Sequence, residues 1–95
     1  MTAYLIALVN LKDPQLMQEY GAAAGPTILA AGGKIVGRGK LKGLAGNLPA
    51  QVGLIAEFES QAALDAWYNG PDYQALIGLR DRAMEPTFFA LEVPA

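Results

Sequence analysis

A nearly continuous apolar segment, Ala3 to Leu11, constrains the fold of this 95-residue chain more than any other feature. A run of this kind predicts a central strand covered on both faces, because a strand with one face in water alternates between apolar and polar residues. The segment is far shorter than the roughly 20 residues of a membrane-spanning helix, so no membrane association is expected. Both faces of the sheet that contains this strand therefore need a cover.

The segment after this strand predicts a helix that is interrupted near its end. Asp13 supplies a side-chain acceptor for a helix start, and Pro14 suits the first helical position, where a missing N–H has no cost. Gly25-Pro26 predicts a kink or a break. Residues 27–31 are expected to form a second helical stretch, which ends at Gly32-Gly33 because glycine can take positive φ.

Two further segments alternate with the period of a strand. Residues 34–41 are expected to point Ile35 and the glycines one way and Arg38 with the lysines the other way. A lysine-bearing, glycine-rich strand is typical of a sheet edge, where charge discourages unwanted pairing. Residues 52–58 place their apolar side chains, including Ala56 and Phe58, on one face of a third strand.

The remaining chain predicts a second helix and a fourth strand. Ser60 is expected to cap a helix that stops at Asn69-Gly70-Pro71, restarts through Arg80 and ends before Pro86. Residues 87–93 have a β-rich composition. The resulting order, β-α-β-β-α-β, predicts a single domain over residues 1–95 with the α+β ferredoxin-like fold, an antiparallel sheet with helices on one face.

This arrangement leaves one apolar sheet face without a cover, which predicts a homodimer. Hydrophobic residues make up 53% of the chain and charged residues only 17%, an apolar balance for a small monomer. At about 25 cal/mol per Å², covering about 600 Å² of apolar surface contributes roughly 15 kcal/mol, against association costs of about 4 to 15 kcal/mol. Sheet-on-sheet association of two copies is therefore favoured.

Missing residue types exclude several kinds of site. The chain has no histidine and no cysteine, which excludes common zinc sites, histidine-ligated haem, Ser-His-Asp triads and thiol nucleophiles. No metal or cofactor is therefore expected. The net charge of −2 disfavours nucleic acid as a partner, as do Glu57 and Glu59 on the third strand. The opening residues show no basic region or cleavage site, so we expect a cytoplasmic location.

Three charged residues are candidates for a site: Arg38, Glu57 and Arg80. Arg80 lies seven positions after Tyr73, which places both on one stripe of a helix. One interpretation is a structural ion pair, joining Arg80 or Arg38 to Glu57 or Glu19. The other is a pocket for a small carboxylate or enolate, which guanidinium groups bind with two hydrogen bonds while a carboxylate or phenol moves a proton.

An aromatic set accompanies these charges. Its members are Tyr20, Trp67, Tyr68 and Tyr73. Packing between the helices and the sheet is their default role. The alternative is that Trp67, Tyr68 and Tyr73 line a ligand pocket with Arg38 and Arg80, and that Tyr20 or Glu57 acts as a catalytic base.

Several short motifs together resemble a known family. They are the AYLIA opening strand, DP followed by EY in helix one, PTI-x-A-x-GG before GRG, EF at the end of strand three, and AWYNGPDYQALIGLR. This pattern, which covers residues 3 to about 93, closely resembles domain of unknown function 1330. The resemblance implies the dimeric α/β barrel superfamily, in which two sheets close into a barrel with helices outside. The loop GLAGNLPAQ departs from the family, which usually has a more polar loop and an arginine there.

The superfamily also contains cofactor-free monooxygenases, haem-degrading enzymes, lactone isomerases and dye-decolourising peroxidases, and a shared fold does not transfer a function. Three hypotheses therefore stay open. The first is a homodimer that binds a small molecule, a carboxylate or an aromatic compound, between helices and sheet. The second is a cofactor-free monooxygenase or an isomerase, and the third is an assembly module without a ligand. Whether the protein is an enzyme stays open at this point.

Overall fold

A computed structural model describes residues 1–94 as four strands and four helices. The elements in chain order are β1 Thr2–Leu11, α1 Pro14–Ala30, β2 Lys34–Lys40, β3 Val52–Phe58, α2 Gln61–Asn69, α3 Pro71–Gln74, α4 Ile77–Ala83 and β4 Met84–Val93. The predicted β-α-β-β-α-β order is confirmed, with the second helical region divided into three short helices.

The four strands form one antiparallel sheet in the order β2-β3-β1-β4. The apolar segment β1 is a central strand, as its composition predicts, and the lysine-bearing β2 is an edge strand. The other edge is β4, and Pro86 lies within it because an edge strand tolerates a residue without an N–H. The fold is therefore ferredoxin-like.

Both predicted helix starts are confirmed by their caps. The Asp13 carboxylate accepts hydrogen bonds from the backbone N–H groups of Gln15 and Leu16, at 3.0 and 3.1 Å. The Ser60 hydroxyl accepts from the N–H of Ala63 at 3.1 Å. These side-chain oxygens accept hydrogen bonds from N–H groups that have no partner within the helix. The two caps therefore define the first residues of α1 and α2.

Two predicted helix boundaries are wrong. Helix α1 is continuous through Gly25-Pro26, so no separate stretch begins after the proline. The second helical region ends at Ala83, and β4 begins at Met84, three residues earlier than the sequence predicts. Met84 pairs with Leu11 of β1 and is buried, so tertiary packing places this residue in the sheet. The predicted end of α1 is confirmed, because Gly32 has a φ of +80°.

A β-bulge in β2 changes which residues of this strand face the helices. The register shifts between Ile35 and Gly37, so Ile35 pairs with Ala56 while Arg38 pairs with Leu54. Ala56 lies on the buried face of β3, and Arg38 therefore shares that face with Ile35. The predicted separation of Ile35 and Arg38 onto opposite faces is wrong for this reason.

The two faces of the sheet differ in their cover. Helices pack on one face, where the largest fully buried side chains are Tyr73, Phe58 and Met84. The other face, here called the open face, carries Tyr4, Ile6, Leu8, Ile55, Phe89, Leu91 and Val93. Of these, Phe89 and Leu91 are about half exposed, at 47% and 53%. The chain thus leaves one apolar face open, as its sequence predicts. No helix in the described chain has the length and hydropathy of a membrane span.

Candidate functional site

A cavity of about 360 Å³ lies between α1 and the helix-covered face of the sheet. Residues from all four strands line it, together with one side of α1 and Trp67 of α2. Its walls are almost entirely apolar, with Leu5, Ile28 and Leu54 among the contributors. Concave sites for small molecules have this size range and this composition, so the cavity is the candidate site.

Two basic residues of β2, Arg38 and Lys40, lie at one side of the cavity. They pair with Leu54 and Val52 of β3, which are also part of the cavity lining. The bulge at Ile35 gives them this position, because it changes the phase of the alternation along β2. Within residues 1–94, Arg38 forms no side-chain hydrogen bond or ion pair, and the residue is exposed. The cavity therefore combines an apolar interior with a positively charged rim.

A chain of hydrogen-bonded side chains begins at Tyr20 in the cavity wall. The hydroxyl oxygens of Tyr20 and Tyr73 lie 2.7 Å apart. Arg80 donates from Nη1 to the hydroxyl of Tyr73 at 3.4 Å and to that of Tyr68 at 2.9 Å. Of these four residues, Tyr20 alone lines the cavity. The structure thus brings together four predicted site residues, but places three of them behind the cavity wall.

Arg80 is held by its neighbours. Its Nε donates to the Asp81 carboxylate at 3.0 Å, and its guanidinium carbon lies 5.3 Å from the centre of the Phe88 ring. Burial acts to lower the pKa of Arg80, but its hydrogen bonds to Tyr68, Tyr73 and Asp81 outweigh burial and raise it. The predicted ion pair with Glu57 or Glu19 is wrong, because the one ion pair within residues 1–94 joins Arg80 to Asp81.

Trp67 is fixed in the cavity wall by a hydrogen bond across the helices. Its indole N–H donates to the Thr27 hydroxyl at 2.9 Å, and that hydroxyl donates to the Ala24 carbonyl at 2.6 Å. The ring also packs on Phe58 and Tyr73, with centroids 5.5 and 4.5 Å away. Trp67 therefore has a packing role and also contributes surface to the cavity.

Burial decides what the two central tyrosines can do. It is the largest effect on both and raises the pKa of Tyr20 and of Tyr73 above the usual value for a phenol. For Tyr73 the hydrogen bonds with Tyr20 and Arg80 act in the opposite direction without overcoming burial. Both phenols therefore keep their protons at neutral pH. Tyr20 can donate a hydrogen bond but is a poor catalytic base.

Glu57, the other candidate base, lies on the opposite side of the sheet. It pairs with Tyr4 of β1 and Lys34 of β2, so it belongs to the open face. Through hydrogen bonding and its negative charge, Glu57 raises the pKa of Tyr4. The sheet separates Glu57 from the cavity, so the structure does not bring this carboxylate together with Arg38, Tyr20 or Arg80.

Sequence reasoning missed several contributors to the cavity. Lys40 lines the cavity beside Arg38. Residues two positions apart on a strand face the same side, so the position of Lys40 could have been predicted from that of Arg38. Met17, Ala24 and Ile28 of α1 also line the cavity. Their spacing places them on one side of a helix, so the sequence could have predicted this set as well. The place of Phe88 in the cavity lining could not be predicted from the sequence, because it depends on the pairing of β4 with β1.

A comparison with protein families identifies the chain. The model of DUF1330, a domain of unknown function, matches residues 2–94, which is nearly the full length. The chain belongs to this family. The DUF1330 chain matches no curated protein at a significant level.

Solved structures show that the ferredoxin-like fold of the DUF1330 chain is shared widely. A protein of unknown function from Rhodopseudomonas palustris, RPA0582, is 23% identical, with a TM-score of 0.74 over 99% of this chain and 83% of that one. A dimeric ferredoxin-like protein of unknown function from Jannaschia sp. CCS1 is 16% identical, with a TM-score of 0.68 over 98% and 100%.

One neighbour has a described activity. SnoaB of Streptomyces nogalater, a cofactor-independent oxygenase, is 12% identical to the DUF1330 chain, with a TM-score of 0.64 over 99% of this chain and 92% of that one. At these identities the likeness shows the fold alone.

Proposed function

We propose that this protein is a homodimer in which each chain binds a small, largely apolar molecule with one anionic group. The cavity between α1 and the sheet carries this proposal, because an apolar interior of about 360 Å³ opens beside the basic residues Arg38 and Lys40. A guanidinium without an ion-pair partner is available to a carboxylate. An aromatic or short aliphatic body fills the apolar space and supplies most of the affinity.

Three observations support the dimer. The open face holds contiguous apolar side chains, among them Ile55, Phe89 and Leu91, each more than 40% exposed in the single chain. A monomer seldom leaves such a patch in water. Several proteins with this fold are described as dimeric, including those from Jannaschia and Thermobifida fusca. The cavity lies on the other side of the sheet, so two stacked sheets leave both cavities accessible.

Isothermal titration calorimetry with 2-naphthoate tests the binding proposal. Its bicyclic ring suits an apolar cavity of this size, and its carboxylate suits Arg38. We expect one saturable site per chain. Arg38→Met should weaken binding about tenfold, which corresponds to one charge-assisted hydrogen bond. Added salt should also weaken binding, because the rim is exposed.

Two controls sharpen this experiment. Arg82→Met removes an exposed arginine of α4 that is outside the cavity lining, and it should leave the affinity for 2-naphthoate unchanged. The neutral ligand 2-acetylnaphthalene should bind the Arg38→Met variant as well as it binds the unmodified protein. Absence of saturable binding by either ligand, or equal losses in both arginine variants, would contradict the proposal.

A cofactor-independent oxygenase is the second candidate function. SnoaB shares the fold, and an apolar cavity is a suitable place for a reaction between an aromatic substrate and oxygen. Oxygen uptake with 1-naphthol, measured with an oxygen electrode, tests it. Uptake that requires the folded protein and survives Glu57→Gln supports an oxygenase, because Glu57 lies outside the cavity. An isomerase receives less support, since neither Glu57 nor the protonated Tyr20 places a base in the cavity.

A further inference from the structure

The chain of hydrogen bonds from Arg80 to Tyr20 has only one direction that satisfies its buried groups. A guanidinium donates and never accepts, so the Tyr73 hydroxyl oxygen accepts from Arg80. The Tyr73 side chain has no solvent exposure, and its own proton needs an acceptor. Within residues 1–94, the Tyr20 oxygen at 2.7 Å is the acceptor available for that proton.

The reverse direction leaves a buried donor without a partner. If Tyr20 donated to Tyr73, the Tyr73 oxygen would receive two hydrogen bonds while its own O–H had no acceptor. An unsatisfied buried O–H is costly, so this arrangement is disfavoured. Donation therefore runs from Arg80 to Tyr73 and from Tyr73 to Tyr20. The proton of Tyr20 then has no acceptor among the described residues.

We infer that the Tyr20 hydroxyl is a hydrogen-bond donor site for a carbonyl oxygen of the molecule that occupies the cavity. Tyr20 lines the cavity, and the side chains around it there are apolar, so the lining offers its proton no side-chain acceptor and a ligand carbonyl can supply one. Donation from Tyr73 polarises the Tyr20 O–H, which strengthens its donation to a carbonyl. Burial keeps the phenol protonated, as its raised pKa indicates.

This inference rests on the proposed binding function and refines the ligand class. The ligand has an apolar body, a carbonyl oxygen that contacts Tyr20, and an anionic group beside Arg38. Arg80 and Tyr73 act as positioning residues, because they contact Tyr20 or its partner and are not part of the cavity lining. An aromatic or aliphatic keto acid fits this description.

A matched pair of neutral probes tests the donor site. In 2-isopropenylnaphthalene a CH₂ group replaces the carbonyl oxygen of 2-acetylnaphthalene, with nearly unchanged shape. We expect the unmodified protein to bind the ketone about tenfold more tightly than the alkene, measured by calorimetric displacement of 2-naphthoate. Tyr20→Phe should abolish this preference and keep the affinity for the alkene. Arg82→Met, at an exposed position outside the cavity lining, is the control and should change neither affinity.

A spectroscopic measurement separates donation from a structural effect. The infrared carbonyl band of bound, ¹³C-labelled 2-acetylnaphthalene should shift to lower wavenumber in the unmodified protein and return in Tyr20→Phe. Tyr73→Phe should reduce the shift and the ketone preference, because Tyr20 loses the group that polarises it. If Tyr20 instead donated to Tyr73, the same substitution would free its proton and increase both.

The outcomes distinguish the two proposals. Equal binding of ketone and alkene, unaffected by Tyr20→Phe, overturns the donor site and leaves the binding function standing. An increased ketone preference in Tyr73→Phe overturns the direction of donation. Failure of the unmodified protein to bind either probe or 2-naphthoate overturns both proposals. Near-ultraviolet circular dichroism of each variant verifies that its aromatic packing is retained.

Discussion

The hydroxyl oxygens of Tyr20 and Tyr73 are 2.7 Å apart, although 53 positions separate these residues in the chain. Tyr20 belongs to α1 and Tyr73 to α3, and both side chains are buried, with edge-to-face rings whose centres are 6.4 Å apart. This contact joins the first helix to the second helical region above the sheet. Because Arg80 donates to the same Tyr73 hydroxyl, the contact also links the cavity wall to α4.

Removing the hydroxyl of Tyr73 should destabilise the fold. Tyr73→Phe leaves Tyr20 without its partner and removes one acceptor of Arg80, so we expect a loss of about 1 to 2 kcal/mol in the free energy of unfolding. Urea denaturation at a fixed protein concentration measures this loss. Arg82→Met, at an exposed position of α4, is the control and is expected to change stability by less than about 0.5 kcal/mol. Equal stability of the two variants would contradict the assigned role of the Tyr20–Tyr73 contact.

Stability should decrease at alkaline pH. Burial raises the pKa of Tyr20 and of Tyr73 in the folded chain, so the folded state retains protons that the unfolded state releases near pH 10. Their contribution is fully present below about pH 10 and is lost as the pH rises further. Absorbance at 295 nm should show that at least two tyrosines ionise only together with unfolding. Reversible ionisation of all four tyrosines in the folded protein would refute this.

Arg80 is expected to be needed mainly for stability. Arg80→Met removes the pair with Asp81 and two hydrogen bonds to tyrosines, which should cost about 2 to 3 kcal/mol. Thermal unfolding at one protein concentration provides the measurement. Arg82→Met, an exposed arginine two positions later, should stay within about 0.5 kcal/mol of the unmodified protein. A fully stable Arg80→Met variant would show that the guanidinium does not hold these helices.

A charge on the open face should separate the proposed dimer. Phe89 lies on the edge strand β4 and on the open face, opposite Ile6 of the central strand β1, and Phe89→Glu places a carboxylate in the contact between two sheets. We expect the dissociation constant to rise about 100-fold. Sedimentation equilibrium should change from twice the chain mass of 10.0 kDa toward the mass of one chain.

The control for this change is Leu29→Glu. Leu29 of α1 is 64% exposed, even more than Phe89, but it does not lie on the open face. We expect this variant to remain dimeric. A monomeric mass for the unmodified protein at micromolar concentration, or a dimer unaffected by Phe89→Glu, would refute stacking through the open face.

Patterns that depend on neighbours in the chain predicted much of this fold. The Asp13 and Ser60 caps, the alternation that buries Ala56 and Phe58, and the edge position of β2 all follow from local spacing. These features need no knowledge of distant contacts. The apolar open face also followed from the sequence. From Ala3 to Val9, both the odd-numbered and the even-numbered residues of β1 are apolar, so both faces of this strand are apolar.

Features that depend on tertiary contacts were not predictable. The bulge after Ile35 inserts one unpaired residue and reverses the facing of Arg38, which no alternation pattern reveals. Met84 has good helix propensity but pairs with Leu11 in the sheet. Among the candidate site residues, Arg38, Tyr20 and Trp67 line the cavity, whereas Glu57 does not. The open-face position of Glu57, in contrast, follows from its alternation with the buried residues Ala56 and Phe58 along β3.

A crystal structure of the protein with 2-naphthoate shows directly whether the cavity between α1 and the sheet binds an apolar anion. We expect electron density for the naphthalene ring between α1 and the sheet in each chain, in contact with Trp67, and a carboxylate within hydrogen-bond distance of Arg38. A cavity closed by its own side chains, or a ligand bound only at a site away from Arg38 and Trp67, would contradict the proposed binding site.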